Sequence, residues 1–261
     1  MAARQRVLVT GATGVIGTAL RANLADQYDF SYLTHQPVDF PSHVADIADL
    51  DAIAPAFAGM VAVVHMAASS AVGSTWEQVL NDNLIGTYNV FEAARRQGVK
   101  TVVFASSNHA IGMYELDGAP SLYQLDDPRV YDHTVEIRPD SLYGVSKAYG
   151  EALGRYYHDM FGLRVYCLRI GTVRADDDPR SPSILESSST WLNLTPEQKY
   201  ERLRATWLSQ RDCCELISRC LEAADVTWAL VYGISNNPRQ FWDISHAREV
   251  LGYDPKDGAP E

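Results

Sequence analysis

The sequence predicts a doubly wound α/β fold of the Rossmann type, a parallel sheet with helices on both faces, and three observations predict it. Short runs of apolar and β-branched residues alternate along the chain with stretches whose apolar positions recur at helical spacing. A glycine triplet, Gly11, Gly14 and Gly17, stands at the first passage from strand to helix. The 261 residues, 46% hydrophobic and 21% charged, suffice to bury one large core, and no Ser/Gly/Pro-rich linker or charge block divides them. One domain over 1–261 is therefore expected.

The first strand is RVLVT, Arg6–Thr10, and GATGVIGTALRANLA after it reads as a tight turn and an amphipathic helix. A β-rich run over 30–33, a helix over 49–57 and the strand VAVVHM over 61–66 repeat the alternation. A long helix over 76–97, the strand TVVFAS over 101–106, a helix over 141–161 and the strand RVYCLRI, Arg164–Ile170, continue it. Strands alternating with helices run parallel, because parallel neighbours need crossover connections. Two stretches, 113–139 and 172–206, break the pattern and are rich in Pro, Asp, Ser and Arg. Each follows the C-terminal end of a strand, the edge where open α/β sheets place ligands, so both are expected to wall a substrate pocket. No repeat of fixed period occurs, and low complexity is confined to the serines at 187–189.

Charge narrows the function. Lys plus Arg number 22 against 33 Asp plus Glu, a net charge of -11 and the wrong sign for gripping nucleic acid. No run approaches the roughly 18 apolar residues of a membrane span, and the strand pattern begins too early for a signal peptide, so a cytoplasmic setting is expected. Cys167, Cys213, Cys214 and Cys220 form no CxxC pair and the seven histidines no HExxH spacing, which predicts neither a disulfide framework nor a metal site. Asp176, Asp177 and Asp178 read as a solvated turn, since adjacent loop side chains seldom converge on a metal.

Two constellations carry chemistry. Glycines in the first turn let the backbone bend sharply, admit a pyrophosphate close to the amides and seat the helix on its strand. Tyr143 and Lys147, four apart in LYGVSK, share one helical face, and the Ser106-Ser107 pair ends the fourth predicted strand. A phenol of reference pKa near 10 is a poor base at neutral pH; a neighbouring ammonium and a positive nicotinamide ring favour the phenolate.

With these motifs in place, the chain resembles the short-chain dehydrogenase/reductase superfamily of the extended, NAD-dependent epimerase/dehydratase type. The resemblance runs from VLVTGATGVIG through VVHMAA, NLIGT, VVFASSNHAIG and RPDSLYGVSK to LGYDP. ASSNHAIG, RPDSLYGVSK, LRIGT and ATWLSQRD are most similar to the uronate dehydrogenases and the haloarchaeal NAD-dependent glucose-6-phosphate dehydrogenases, with sulfoquinovose dehydrogenases a further group of like substrate. The resemblance implies Ser107, Tyr143 and Lys147 as the catalytic set. For the cofactor it implies Gly11, Gly14, Gly17, Thr13, Val15, Ile16, His35, Asp46 at the adenine, Ile47, Ala67 and a structural, proton-relaying Asn83, together with Tyr143 and Lys147. For substrate it implies Ser70, Ser107, Asn108, His109, Tyr143, Thr172 and Arg202, the last on the sugar's anion.

One departure concerns the second strand, whose end reads Leu33-Thr34-His35-Gln36 without the acidic residue that often holds the ribose of NAD. Neither Arg nor Lys occurs in 32–38 to meet a 2'-phosphate. NAD is the expected cofactor, with NADP as the alternative. The activity implied is oxidation of C1 of a hexose carrying a C6 anion (a uronate, a hexose 6-phosphate or a 6-sulfo-hexose) to its lactone. The rivals are a sugar epimerase or dehydratase that retains NAD and a non-catalytic NAD(H)-binding regulator. The former needs a larger C-terminal part than the residues after Lys147 provide; the latter has no need of Ser, Tyr and Lys together. A homodimer or higher homo-oligomer through surface helices is the arrangement the resemblance implies.

Overall fold

Seven strands, β1 (Arg6–Thr10), β2 (Asp29–Thr34), β3 (His43–Val44), β4 (Ala62–His65), β5 (Thr101–Ser107), β6 (Arg164–Ile170) and β7 (Trp228–Gly233), form one parallel sheet ordered β3-β2-β1-β4-β5-β6-β7. The computed structural model describes residues 4–186 and 193–260. The strand order reverses between β1 and β4, and at such a switch the crossovers leave to opposite faces and open a crevice beyond the C-terminal strand ends. Thr10 and His65 are register partners at that point.

The central strands are apolar on both faces because helices cover both. On one side Val7, Val9, Val64, Val103 and Leu168 pack with α1 (Val15–Asn23), and the layer continues into Cys213, Cys214, Ile217 and Cys220 of α8 (Gln210–Glu222). On the other, Leu8, Val63, Val102, Phe104 and Cys167 meet Val90, Phe91 and Ala94 of α4 (Gly86–Arg96) and Tyr157 of α6 (Leu142–Phe161). All four cysteines are buried and unbridged.

Several elements differ from expectation. The 49–57 helix is a short α2 (Leu50–Ile53), capped where Ala52 N donates to Asp49 Oδ1 at 3.0 Å, and it tightens into a 3-10 turn over Ala54–Phe57, where Pro55 lacks a donor. The 76–97 helix is three pieces: α3 (Trp76–Gln78), a π-helical turn over Val79–Ile85, and α4. The wider turn points Asn83 inward, where it is only 2% exposed.

Neither irregular stretch is a plain loop. The 113–139 segment holds α5 (Met113–Gly118) and a 3-10 turn over Ser121–Tyr123, and 172–206 holds a turn over Pro182–Glu186 and α7 (Pro196–Thr206). A capping box starts α7: Gln198 N donates to Thr195 Oγ1 and Thr195 N to Gln198 Oε1, with Pro196 at the first helical position. The serines at 187–189 lie outside the described residues.

The element that positions the site is α6. Ser141 caps it by accepting from Gly144 N at 3.0 Å, and Gly162, at φ +68°, ends it in the left-handed conformation. It lies on β5 because Gly150 faces the Phe104 ring: a Cβ there would come within 2.2 Å of Cζ, inside a core with no slack. Gly150→Ala is expected to cost about 1–3 kcal/mol through overpacking, seen as a lower urea midpoint with unchanged m-value. An unchanged midpoint would show that α6 does not depend on this contact.

Candidate active site

Beyond the switch point lies a cleft of about 920 Å³. Its first wall is the turn after β1. Gly11 sits at φ +73°, and a Cβ there would lie 2.7 Å from Ala67 N; a Cβ on Gly17 would lie 2.5 Å from Gly11 O. These two glycines pack backbone on backbone. Gly14 differs, since a Cβ there would meet only Gly11 O, at 3.4 Å, so its hydrogens face open space. It is also the N-cap of α1, with no side chain bonded to the first amides. An uncapped helix start at the end of a glycine turn suits a pyrophosphate, which can reach the amides and the positive end of the helix dipole.

A buried brace holds that turn against β4. Thr10 Oγ1 accepts from Met66 N and Ala67 N, both at 3.1 Å, so its own proton goes to His65 Nδ1 at 2.8 Å. His65 Nε2–H then donates to Thr87 Oγ1 of α4 at 3.2 Å. Burial, and then the nearby Lys147 charge, push the His65 pKa down to about 3.

The opposite wall carries Ser107, Asn108, His109, Tyr143 and Lys147. Lys147 Nζ donates to Ala105 O at 2.6 Å and stands 5.4 Å from the centroid of the Tyr143 ring. Burial brings its pKa down to about 8, while Glu151, one turn further on, works to raise it. Burial likewise pushes the Tyr143 phenol up to about 12; hydrogen bonding with Ser107 pulls it down and the Asp140 charge raises it. The Ser106 hydroxyl is committed elsewhere, donating to Glu151 Oε1 at 2.5 Å, and Arg169 pairs with the same carboxylate at 2.9 Å. Ser107 is thereby the serine presented beside Tyr143. Its Oγ donates to Asn108 Oδ1 at 3.1 Å and accepts from His109 N at 3.2 Å.

Most of the residues expected in the site line this cleft: Gly11, Gly14, Val15, Ile16 and Gly17 on one side, Ser107, Asn108, His109, Tyr143 and Lys147 on the other, with Ser70, Thr172 and Arg202 around the mouth. Thr206 Oγ1 donates to Arg202 O, so the Thr172 hydroxyl donates to Thr206 and keeps its lone pairs for the cleft. Others fall outside the lining. Thr13 is exposed on the glycine turn, and His35 and Asp46 are exposed beyond β2 and β3, Asp46 Oδ1 accepting from Ala48 N. Ala67 lies beneath Gly11, and Ile47 packs under Gly86. Asn83 is a brace: its amide bonds Ser69 N, Ser69 O and Ser146 Oγ at 2.8, 3.1 and 2.9 Å, tying the loop after β4 to α6.

A correction concerns 113–139. Among the described residues none from this stretch lines the cleft, and it stands behind the wall instead. Glu115, fully buried, accepts from Arg202 Nε at 2.7 Å and Nη2 at 3.2 Å, and Tyr123 OH donates to it at 2.9 Å. Nothing local in the sequence points to this support; Arg174, a second arginine that the sequence offers for the anion, lines the cleft and pairs with Asp176 at 3.3 Å.

Residues 7–226 match the model of the NAD dependent epimerase/dehydratase family. The chain belongs to this family. Among its relatives, an NAD-dependent glucose-6-phosphate dehydrogenase of Haloferax volcanii is 41% identical over 98% of this chain and 95% of its own. An L-arabinose 1-dehydrogenase (NAD(P)(+)) of the same organism is 37% identical over 97% of each chain. The crystal structure of a point mutant of uronate dehydrogenase from Agrobacterium tumefaciens complexed with NAD superposes with a TM-score of 0.80 at 34% identity, over 98% of this chain and 86% of that one.

In this family member the His65 brace ties stability to pH. Above about 6.5 the imidazole is neutral whether folded or not; below that the unfolded chain takes a proton that the fold refuses until about pH 3. Stability is thus fully present above the unfolded value and is lost as pH falls toward the folded one. Urea midpoints taken between pH 7 and 4.5 should fall more steeply, by up to about 1.4 kcal/mol per pH unit, in the wild type than in His65→Gln. Equal slopes would contradict the buried neutral imidazole.

Proposed function

We propose that the protein is an NAD-dependent sugar 1-dehydrogenase that oxidises the C1 hydroxyl of a hexose bearing a C6 anion to the lactone. The observation that carries this reading is the convergence of Ser107, Tyr143 and Lys147 on the cleft wall facing the glycine turn. The chemistry that NAD supplies when bound is acceptance of the hydride leaving C1. Gly11, Gly14, Gly17, Val15 and Ile16 hold its pyrophosphate side, and Lys147 its nicotinamide ribose. Ser107 and Tyr143 bind the C1 hydroxyl. Tyr143, as the phenolate, takes the hydroxyl proton as the C1–O bond becomes a carbonyl and is left as the phenol, and the Lys147 ammonium favours the phenolate before each turnover. Burial holds Tyr143 near 12 in the unliganded protein even with the Ser107 hydrogen bond working to lower it, so the positive charge of a bound nicotinamide ring would supply the further lowering toward neutral pH.

Arg202 and Arg174 are the anion-binding candidates. Glu115 and Tyr123 hold the Arg202 guanidinium at the cleft wall, which lowers the cost of ordering it. A charge-assisted pair in a closed site contributes about 1.5 to 3 kcal/mol, roughly ten- to a hundredfold in kcat/KM. The arabinose relative supports a second reading, in which a neutral sugar fills the same cleft. The 172–206 segment supplies the substrate wall and 113–139 its support, within one catalytic domain over 1–261. We place the enzyme in the cytoplasm, in keeping with its unbridged cysteines.

A panel of uronate, hexose 6-phosphate, 6-sulfo-hexose and neutral sugars, each with NAD and NADP, tests this reading through the absorbance of the reduced nicotinamide. One C6-anionic class should exceed its neutral counterpart at least about tenfold in kcat/KM, with NAD preferred. Tyr143→Phe should abolish turnover while NAD still binds, and Arg202→Ala or Arg174→Ala should remove the preference for the anion and spare the neutral sugar. Equal turnover of charged and neutral sugars would favour the second reading; no turnover of any sugar would overturn both.

For assembly we propose a homodimer through α4 and α6. Tyr88 on α4 and Val145, Tyr156 and Met160 on α6 leave 43–63% of their surface exposed, large apolar groups that a partner's matching helices would cover. Light scattering should give twice the chain mass, falling to the monomer value in Tyr156→Glu. A monomeric wild type would refute the arrangement.

A further inference from the structure

We propose that Asp140 is a positioning residue that fixes the tautomer of His109, so that His109 Nε2 accepts a hydrogen bond from a substrate hydroxyl. This rests on the sugar-oxidising reading above and names the chemical sense in which one wall of the cleft recognises the sugar. His109 Nδ1 and Asp140 Oδ2 are 2.7 Å apart, and the Asp140 side chain has no exposed surface. The other carboxylate oxygen accepts from Ser141 Oγ at 2.8 Å. Ser141 Oγ itself accepts from Gly144 N, so its single proton goes to Asp140. A carboxylate only accepts, and therefore the proton between Asp140 and His109 sits on Nδ1. In the neutral imidazole that leaves Nε2 as an acceptor.

The backbone is shaped for this pair. A Cβ at Gly112 would lie 1.8 Å from Asp140 Oδ2, and one at Gly144 would lie 2.2 Å from His109 O. Glycine at both positions lets the start of α6 press onto the 3-10 turn that carries His109. Asp140 precedes the cap of the 20-residue α6, where the helix dipole favours a negative group. His109 is in turn held beside the reacting groups: its backbone N donates to Ser107 Oγ, and its ring stands edge-on to Tyr143 with centroids 5.7 Å apart. The imidazole is 16% exposed and lines the cleft.

The consequence is a division of labour. An acceptor nitrogen repels a carboxylate, phosphate or sulfonate and selects a hydroxyl, so His109 orients the hydroxyl-bearing part of the sugar near Tyr143. The anion belongs with Arg174 and Arg202.

Nitrogen-15 NMR of the histidine-labelled full chain with NAD bound reads the tautomer directly, with the His109 signals assigned by their loss in His109→Ala. Nδ1 should be protonated and Nε2 not; in Asp140→Asn, whose amide can donate to Nδ1, the assignment should reverse. Kinetically, Asp140→Asn should lower kcat/KM about ten- to a hundredfold in the wild-type background and cost little further in His109→Ala, with NAD affinity unchanged. Gly112→Ala should reproduce the defect by displacing the carboxylate. A protonated Nε2 in the wild type, or the same loss from Asp140→Asn in both backgrounds, would overturn the proposal. Were no sugar oxidised by the wild type, the functional reading would fail, while the NMR result would still decide the role of Asp140.

Discussion

The close seating of α6 on β5 is the contact on which the site depends. Gly150 allows the helix to meet the Phe104 ring, Gly154 brings it to Val165 and Cys167, and Gly144 brings its first turn to the His109 carbonyl. Along the face so buried, Tyr143, Lys147 and Glu151 recur at four-residue spacing. Each meets the strand layer differently. Tyr143 stands beside Ser107, Lys147 reaches the Ala105 carbonyl, and Glu151 takes Ser106 and Arg169. A helix a few tenths of an ångström further out would lose all three registers together, which a site requiring near-attack geometry does not tolerate.

Desolvation sets the electrostatics that follow. Burial alone makes Tyr143 reluctant to ionise and Lys147 ready to lose its proton, the opposite of what base catalysis needs. The corrections are built in as named groups. Hydrogen bonding with Ser107 works to lower the Tyr143 pKa and the Glu151 charge to raise that of Lys147, while Arg169 neutralises Glu151 so that its charge does not sit unpaired in the core. On the cofactor side His65 stays neutral and spends both ring nitrogens on threonines, so no further charge enters the crevice.

Much of this was legible in the sequence because it is local. The glycine turn, the Tyr143 and Lys147 spacing and five of the seven strands follow from periodicity and residue type within short windows. What escaped depends on contacts distant in sequence or on short elements. β3 has two residues, too few to stand out, whereas β7, Trp-Ala-Leu-Val-Tyr-Gly, is an apolar run that did carry a strand signal. The start of α7 did carry a signal in Thr195-Pro196-Glu197-Gln198, masked by the polar composition around it. The pairing of Glu115 with Arg202 spans 87 positions and that of His109 with Asp140 spans 31, and no spacing rule relates such partners. Expecting 113–139 to line the cleft failed for the same reason: following a strand end places a segment near the ligand edge without saying which layer it occupies.

What we propose is that the Ser107, Tyr143 and Lys147 wall holds a free sugar so that its hydroxyl proton passes to Tyr143 and its C1 hydride to bound NAD, with release of the oxidised product. The most direct test uses the preferred sugar with deuterium at C1, incubated with NAD and followed by mass spectrometry of both products. The expected result is deuterium in the reduced nicotinamide, one equivalent per lactone formed, with slower turnover than for the protiated sugar. Deuterium retained in a sugar of altered configuration, with no net reduced nicotinamide, would instead mark an epimerase and contradict the account.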